Sequence, residues 1–169
     1  MILLGNCLSL LGCCVMVAIG LVKRKEKILL CKYVQYGFMG LGNLALGAVS
    51  GTVANLVGIV RNLVFTRTSG GTGLKILFIA IQVGLTALNW NGRGVEALPI
   101  LAAVLFVCFL DTKSDVRFKL ADMGCMVLWG AYDLTYRNYV AFTCDILTIA
   151  SSALALYALM KEAGTKEKA

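Results

Sequence analysis

Four ionisable side chains interrupt otherwise apolar segments of this sequence: Arg61, Asp122, Asp133 and Asp145. A charged group within a membrane costs a few kcal/mol, so it usually faces a bundle interior or a water-filled cavity and finds a partner there. These residues are the first candidates for solute binding. Asp122 and Asp133 lie near opposite ends of one apolar segment, and we expect those ends to be solvated.

Asp145 has the most informative position. It lies about two turns inside the last apolar segment, at the same depth as Asn55 in the third. We expect both to face one central cavity, where a carboxylate and an amide would bind a solute. A structural hydrogen bond between helices is the alternative. Arg61 follows Asn55 by six residues, about 240° around a helix, and we expect it to snorkel toward the cytoplasm.

Two aromatic residues and a second amide complete the candidate site, because an aromatic ring with a polar tip suits a sugar-like or amphipathic solute. The predicted substrate-binding residues are Asn55, Asp145, Asn43, Trp129, Tyr132 and Arg61.

Enzymatic chemistry has little support. The chain has no histidine, which removes Ser-His and Cys-His nucleophile pairs and most zinc sites. The seven cysteines include no CxxC pair and fall mostly in apolar runs, where cysteine behaves as a small hydrophobe. We predict no catalytic residue, metal or cofactor.

The elements that must position these residues are membrane helices. Of the 169 residues, 59% are hydrophobic and 15% charged, whereas a soluble domain is usually about 45–50% apolar and about 25% charged. The net charge of +7 comes from short basic runs that flank apolar segments, not from a basic stripe, so nucleic acid is not an expected partner.

Charge clusters and turn residues divide the chain into seven apolar segments, which predict an all-α membrane protein with seven transmembrane helices. The first segment precedes its basic cluster, unlike a cleaved secretory signal. The segments are Met1–Val22, 28–47, 50–66, 74–90, 97–110, 118–136 and 139–160.

Flanking charges predict the topology. With the N-terminus outside, thirteen lysines and arginines fall on the cytoplasmic side, including Lys32 and Lys119, and only Arg93 and Arg137 fall outside. Such a bias is typical of the positive-inside rule. We expect a multi-pass membrane protein with its N-terminus outside and its C-terminus in the cytoplasm.

Two weak internal matches suggest a repeat. Residues 37–41 match 124–128, and after a three-residue insertion in the outer turn residues 53–57 match 143–147. The single domain, 1–169, would then comprise a three-helix unit (1–67), a linker helix (74–90) and a second unit (97–160). An odd linker makes the two units parallel, a 3+1+3 arrangement.

Several short motifs resemble the YgjV-like family of bacterial inner membrane proteins over most of the chain. They are Gly47-Ala48, Ala54-Asn55, Arg61-Asn62 and Thr66-Arg67-Thr68 in the first half, and Glu96-Ala97-Leu98-Pro99, Asp111-Thr112-Lys113 and Trp129 in the second. The resemblance implies an inner membrane protein and no particular activity.

More distantly, the 3+1+3 layout and Asn55 resemble SWEET and PQ-loop transporters. SWEET proteins place an asparagine on the third helix of each unit, facing the substrate, and here the second position is Asp145. The Pro-Gln dipeptide of PQ-loop proteins is missing. The resemblance implies a carrier or facilitator of an unknown small solute.

Two other function classes stay open: a non-transporting membrane scaffold or accessory subunit, and a membrane enzyme acting on lipid. The expected partners are the lipid bilayer and the solute, and a homo-oligomer is compatible with the sequence.

Overall fold

The computed structural model describes residues 2–68, 71–90 and 92–166, with side chains up to residue 161, and these ranges are helical without any strand. The prediction of an all-α chain with seven helices is confirmed over them. Met1 and Lys168, which the predictions include, lie outside the described residues. The helices are α1 (Ile2–Leu21), α2 (Lys25–Ala45), α3 (Val49–Arg67), α4 (Thr72–Leu88), α5 (Ala97–Cys108), α6 (Asp115–Thr135) and α7 (Tyr139–Lys166), with a 3₁₀ turn at Gly94–Glu96.

Helices α2 and α6 each begin three residues earlier than predicted, and α3 and α4 begin one and two residues earlier. The start of α6 has a local cause: the Ser114 hydroxyl caps the helix by accepting a hydrogen bond from the Arg117 amide at 3.3 Å. Asp115 follows in the first turn, where a negative charge favours the helix dipole. Lys25, Lys27, Arg117 and Lys119 therefore belong to helices and not to loops.

Three helical segments are long and apolar enough to cross a membrane by length and composition: α1, α3 and residues Tyr139–Lys161 of α7. Helix α4 and the segment Gly94–Cys108 are shorter apolar helices. Helices α2 and α6 are as long as α1 but less apolar, because several buried polar residues lie on them.

Helix packing follows a closed order. Helix α1 packs against α2 and α7, α2 against α3, α5 against α6, and α6 against α7. Contacts between α3 and α5 complete a ring of six helices. Helix α4 packs outside the ring, against α3 and α5. Helix α2 also contacts α6 across the middle of the ring. The contact between α2 and α6 places side chains of these two helices together inside the ring.

The turn between α2 and α3 and the turn between α6 and α7 are built alike. The Ala48 amide donates to the Asn43 carbonyl at 2.9 Å, and 90 residues later the Asn138 amide donates to the Asp133 carbonyl, also at 2.9 Å. Each turn places its middle residue at positive φ, Gly47 at +73° and Arg137 at +59°.

Both turns contain three residues between helices, 46–48 and 136–138. The three-residue insertion in the sequence alignment is therefore wrong. A constant interval of 90 residues relates the two turns. With this interval, the position equivalent to Gly40 is Gly130 and not residue 127.

At the other end of the ring, hydrogen bonds join the region of the α1–α2 loop to the region of the α5–α6 loop. The Lys25 amine donates to the Thr112 carbonyl at 3.0 Å, and the Lys119 amine donates to the Val22 carbonyl at 2.8 Å. The Lys25 amide also donates to the Asp115 carboxylate at 3.2 Å. These hydrogen bonds close this end over the buried side chains of α2 and α6.

Candidate functional site

A buried ion pair joins α2 to α6 across the ring. The Lys32 amine lies 2.8 Å from Asp122 Oδ1, and the two side chains are only 1% and 4% exposed. The amine also lies 5.2 Å from the centre of the Phe106 ring and 5.5 Å from that of Tyr36, close enough for cation–π attraction. Positions 32 and 122 are again 90 residues apart.

The ion pair lines the first of two cavities, which we call the basic cavity. It lies among α2, α3, α5 and α6 and is lined by Lys32, Tyr36, Ala54, Arg61, Pro99, Ala102, Ala103, Phe106, Asp122, Cys125, Met126 and Trp129. Arg61 is 4% exposed. Its guanidinium lies 4.7 Å from the Phe106 ring centre, and its Nε donates to Asn62 Oδ1 at 3.4 Å. With two cations and one carboxylate, this cavity favours negative charge.

The second cavity, the acidic cavity, lies among α1, α2, α3, α6 and α7. It is lined by Met16, Gln35, Tyr36, Met39, Asn43, Asn55, Met126, Trp129, Asp133 and Asp145. Because two carboxylates and three amides line it, this cavity favours positive charge, whereas the basic cavity favours negative charge. Tyr36, Met126 and Trp129 border both cavities and separate them.

Asp145 is held between α7 and α6 without a polar partner. The residue is 3% exposed, and its Oδ2 has no hydrogen-bond partner among the described residues. A Cβ built on Gly130 would lie 3.5 Å from this oxygen, an ordinary van der Waals distance, so the carboxylate packs directly against α6. At the equivalent place in the first half, a Cβ on Gly40 would lie 3.3 Å from Asn55 Cβ.

Asp133 lies at the turn end of the acidic cavity. It is 1% exposed, and its Oδ1 accepts a hydrogen bond from Asn138 Nδ2 at 3.4 Å. The same Asn138 amide group also approaches Asn43 Oδ1 at 3.4 Å. Among the described residues, neither Asp133 nor Asp145 forms an ion pair.

The predicted site residues divide between three places. Asn55, Asp145, Asn43 and Trp129 line the acidic cavity together. Arg61 lines the basic cavity, on the far side of Trp129.

Tyr132 lies apart from both cavities. It is fully buried, and its hydroxyl lies 2.9 Å from Ser50 Oγ and accepts a hydrogen bond from the Gly51 amide at 2.9 Å. Its contacts are those of a residue that fixes α6 to α3.

Three expectations about charged residues are wrong. Arg61 does not extend to the cytoplasmic surface but is buried against Phe106. Asp122 and Asp133 are not solvated helix ends, since each is at most 3% exposed. All three face the centre of the ring, because α3 and α6 present these positions to neighbouring helices and not to lipid or water.

Sequence reasoning also missed several buried polar residues. Gln35 is 3% exposed in the acidic cavity, and Lys32 was assigned to a cytoplasmic flank. Lys119, assigned to the same side, is 1% exposed. Glu96 is buried above α5, where its carboxylate accepts hydrogen bonds from the Ser50 and Tyr136 hydroxyls. An interval of 90 residues relates Lys32 to Asp122 and Asn43 to Asp133. This interval is the sequence signal that would have pointed to Lys32.

Both cavities are narrow. The empty space in them is about 330 Å³ and 300 Å³. Most of this space is too thin to admit a water molecule, so each cavity holds only about one or two waters. The space is therefore sufficient only for an ion or a water-sized group, and a larger solute would require the helices to move apart.

Residues 3–163 match the family model of Imp-YgjV, a family of bacterial inner membrane proteins. The chain belongs to this family. It is accordingly a protein of the bacterial inner membrane, in agreement with its apolar helices, and the Imp-YgjV match spans both cavities. No curated protein and no solved structure matches the chain.

Proposed function

We propose that the protein is a small-solute carrier or facilitator whose solute binds between two three-helix units, residues 1–67 and 97–160. The observation that carries the proposal is the acidic cavity, where Asn55 of α3 and Asp145 of α7 meet. No hydrogen bond from the described residues reaches Asp145 Oδ2, as a structural bond to that oxygen would require. Buried polar atoms without partners are rare and call for an explanation such as a missing ligand.

The helix ring supplies the parts that transport requires. In the proposed 3+1+3 arrangement, α1–α3 and α5–α7 are parallel units and α4 is the linker outside them. Rocking of one unit against the other would open the acidic cavity to one side of the membrane at a time. In the closed form described here, the loop contacts of Lys25 and Lys119 cover one end.

The orientation is part of the same proposal. We place the N-terminus outside and the C-terminus in the cytoplasm, so the loops α1–α2 and α5–α6 face the cytoplasm and the three-residue turns face outside. The lipid bilayer is the immediate partner, and no enzymatic activity is proposed.

The test is solute uptake into proteoliposomes that contain the purified protein, screened with labelled sugars, amino acids and inorganic cations. For any solute transported, Asp145→Asn should abolish uptake and Asn55→Ala should weaken apparent affinity, while the melting temperature stays within a few degrees of wild type. Asn keeps the shape of Asp but loses the charge. The matched control is Asp111→Asn, because Asp111 is a half-exposed carboxylate outside the ring.

The second candidate, a membrane scaffold or accessory subunit, is favoured by a different observation, the narrowness of both cavities. A scaffold predicts that Asp145→Asn and Asn55→Ala change stability alone. If no solute is taken up and both variants lower the melting temperature, the carrier proposal is refuted and the scaffold is preferred.

A further inference from the structure

We infer that the acidic cavity is a binding site for one monovalent cation of about the size of Na⁺, held between the side chains of α2, α3, α6 and α7. Binding is a property of these residues alone. The cation's role, as carried solute or coupling ion, rests on the proposed function.

The charge of the cavity is the first argument. Asp133 and Asp145 line it, while no lysine or arginine is among its lining residues. The nearest buried cations, Lys32 and Arg61, line the other cavity, where Lys32 is engaged by Asp122. An isolated buried carboxylate is costly, and a bound cation offsets that cost.

Gln35 is the second, independent argument. It lies on α2, it is 3% exposed, and its Oε1 has no hydrogen-bond partner among the described residues although it lines the same cavity. A buried carbonyl oxygen without a hydrogen-bond donor has nothing to compensate its partial negative charge, and a bound cation would provide that compensation. Hard cations prefer such carbonyl and carboxylate oxygens.

The ligands and the space together select the kind of cation. Among the described residues that line this cavity, Gln35 Oε1 and Asp145 Oδ2 are the oxygens without a hydrogen-bond partner, and Asn43 and Asn55 line the same cavity. The cavity admits about one or two water molecules, which suits a single small ion. A divalent ion such as Ca²⁺ takes six to eight oxygens, commonly from several carboxylates, and the described part of the chain contains no group of three or more His, Cys, Asp or Glu residues placed to hold a metal.

The protein contains its own reporter for this site. Its two tryptophans are Trp90, which is 45% exposed, and Trp129, which lines the acidic cavity. In a Trp90→Phe background, fluorescence therefore reports on Trp129 alone. We would titrate this full-length variant in detergent with NaCl, replacing choline chloride at constant total salt, and repeat the titration with LiCl, KCl and CaCl₂.

The expected result is a saturable change in Trp129 fluorescence with Na⁺ and a rise in melting temperature on the order of 5 °C at saturation. Asp145→Asn and Gln35→Met should each raise the apparent Kd for Na⁺ at least about tenfold, whereas Asp111→Asn should leave it unchanged. Gln35→Met keeps both carboxylates, so it also decides the matter if Asp145→Asn does not fold.

The inference is overturned if no monovalent cation that replaces choline gives a saturable response, or if both cavity variants retain the wild-type response. A response to Ca²⁺ at far lower concentration than Na⁺ would also overturn it. Saturable Na⁺ binding without uptake of any solute would refute the carrier proposal and leave the site intact. Uptake without a cation response would refute the site alone.

Discussion

Replacing Lys32 by methionine should cost the protein much of its stability. The amine lies 2.8 Å from Asp122, and both side chains are almost completely buried. Removing one partner of a buried ion pair costs about 3–5 kcal/mol, because the remaining charge is left without compensation. Arg61 lines the same cavity, so we expect the lower part of that range, and a fall in melting temperature of roughly 6–12 °C.

The double variant Lys32→Met/Asp122→Leu should recover most of this loss, since replacing both charges by apolar groups is often neutral or stabilising. The exchange Lys32→Asp/Asp122→Lys should recover it as well, because the two positions are equivalent in the 90-residue repeat. The measurement is unfolding in mixed detergent, followed by circular dichroism, for the single, double and exchanged variants.

The surface pair Lys75–Asp111 is the matched control. Its atoms are 2.6 Å apart, closer than those of the buried pair, but the side chains are 17% and 51% exposed. The hydrogen bond from Lys75 lowers the pKa of Asp111 below its usual value. Solvent screening limits such a pair to about 1 kcal/mol or less. If Lys75→Met and Lys32→Met cost the same, burial is not what makes the Lys32 pair matter, and our reasoning is refuted.

Two further predictions concern packing and topology. A Cβ on Gly20 would collide with the Ser151 side chain and lie 3.1 Å from the Thr148 carbonyl, whereas Gly37 has nothing within 4 Å. Gly20→Ala should therefore lower stability by about 1–3 kcal/mol and Gly37→Ala should not, as measured in the same unfolding assay; equal effects would contradict the α1–α7 packing. In a Cys-less background, Gly94→Cys should react with a membrane-impermeant thiol reagent in intact cells and Thr68→Cys should not, since both positions are exposed and the flanking charges place them on opposite sides. Equal labelling would refute the proposed topology.

The helices were predictable because each apolar run ends at charges or turn residues, and their number follows from counting those runs. The first turn of α5 was predictable from Pro99, whose missing N–H costs nothing there. The starts of α2 and α6 were not, because lysine and aspartate at those positions look like loop residues. Only the cap at Ser114 shows that α6 begins there.

The direction in which a charged residue faces was the harder problem. Lys32, Asp122 and Asp133 lie within two turns of a helix end, where hydropathy cannot distinguish a solvated group from one that faces another helix. The choice depends on which helices meet, and α2 meets α6 from 90 residues away. Asn55 and Asp145 line one cavity, and the sequence could suggest their proximity because their matching depth on two helices follows from their positions in the chain.

The pairing of Lys32 with Asp122 also sets a condition on biosynthesis. At a synthesis rate of about 5–20 residues per second, α6 leaves the ribosome roughly 5–18 s after α2. During that time the Lys32 amine has no carboxylate from α6. A lysine costs about 2.5–3.5 kcal/mol at the centre of an inserted helix and less at the position of Lys32, about two turns from the start of α2. We therefore expect the first half of the nascent chain to reach its full stability in the bilayer only when α6 arrives and supplies Asp122.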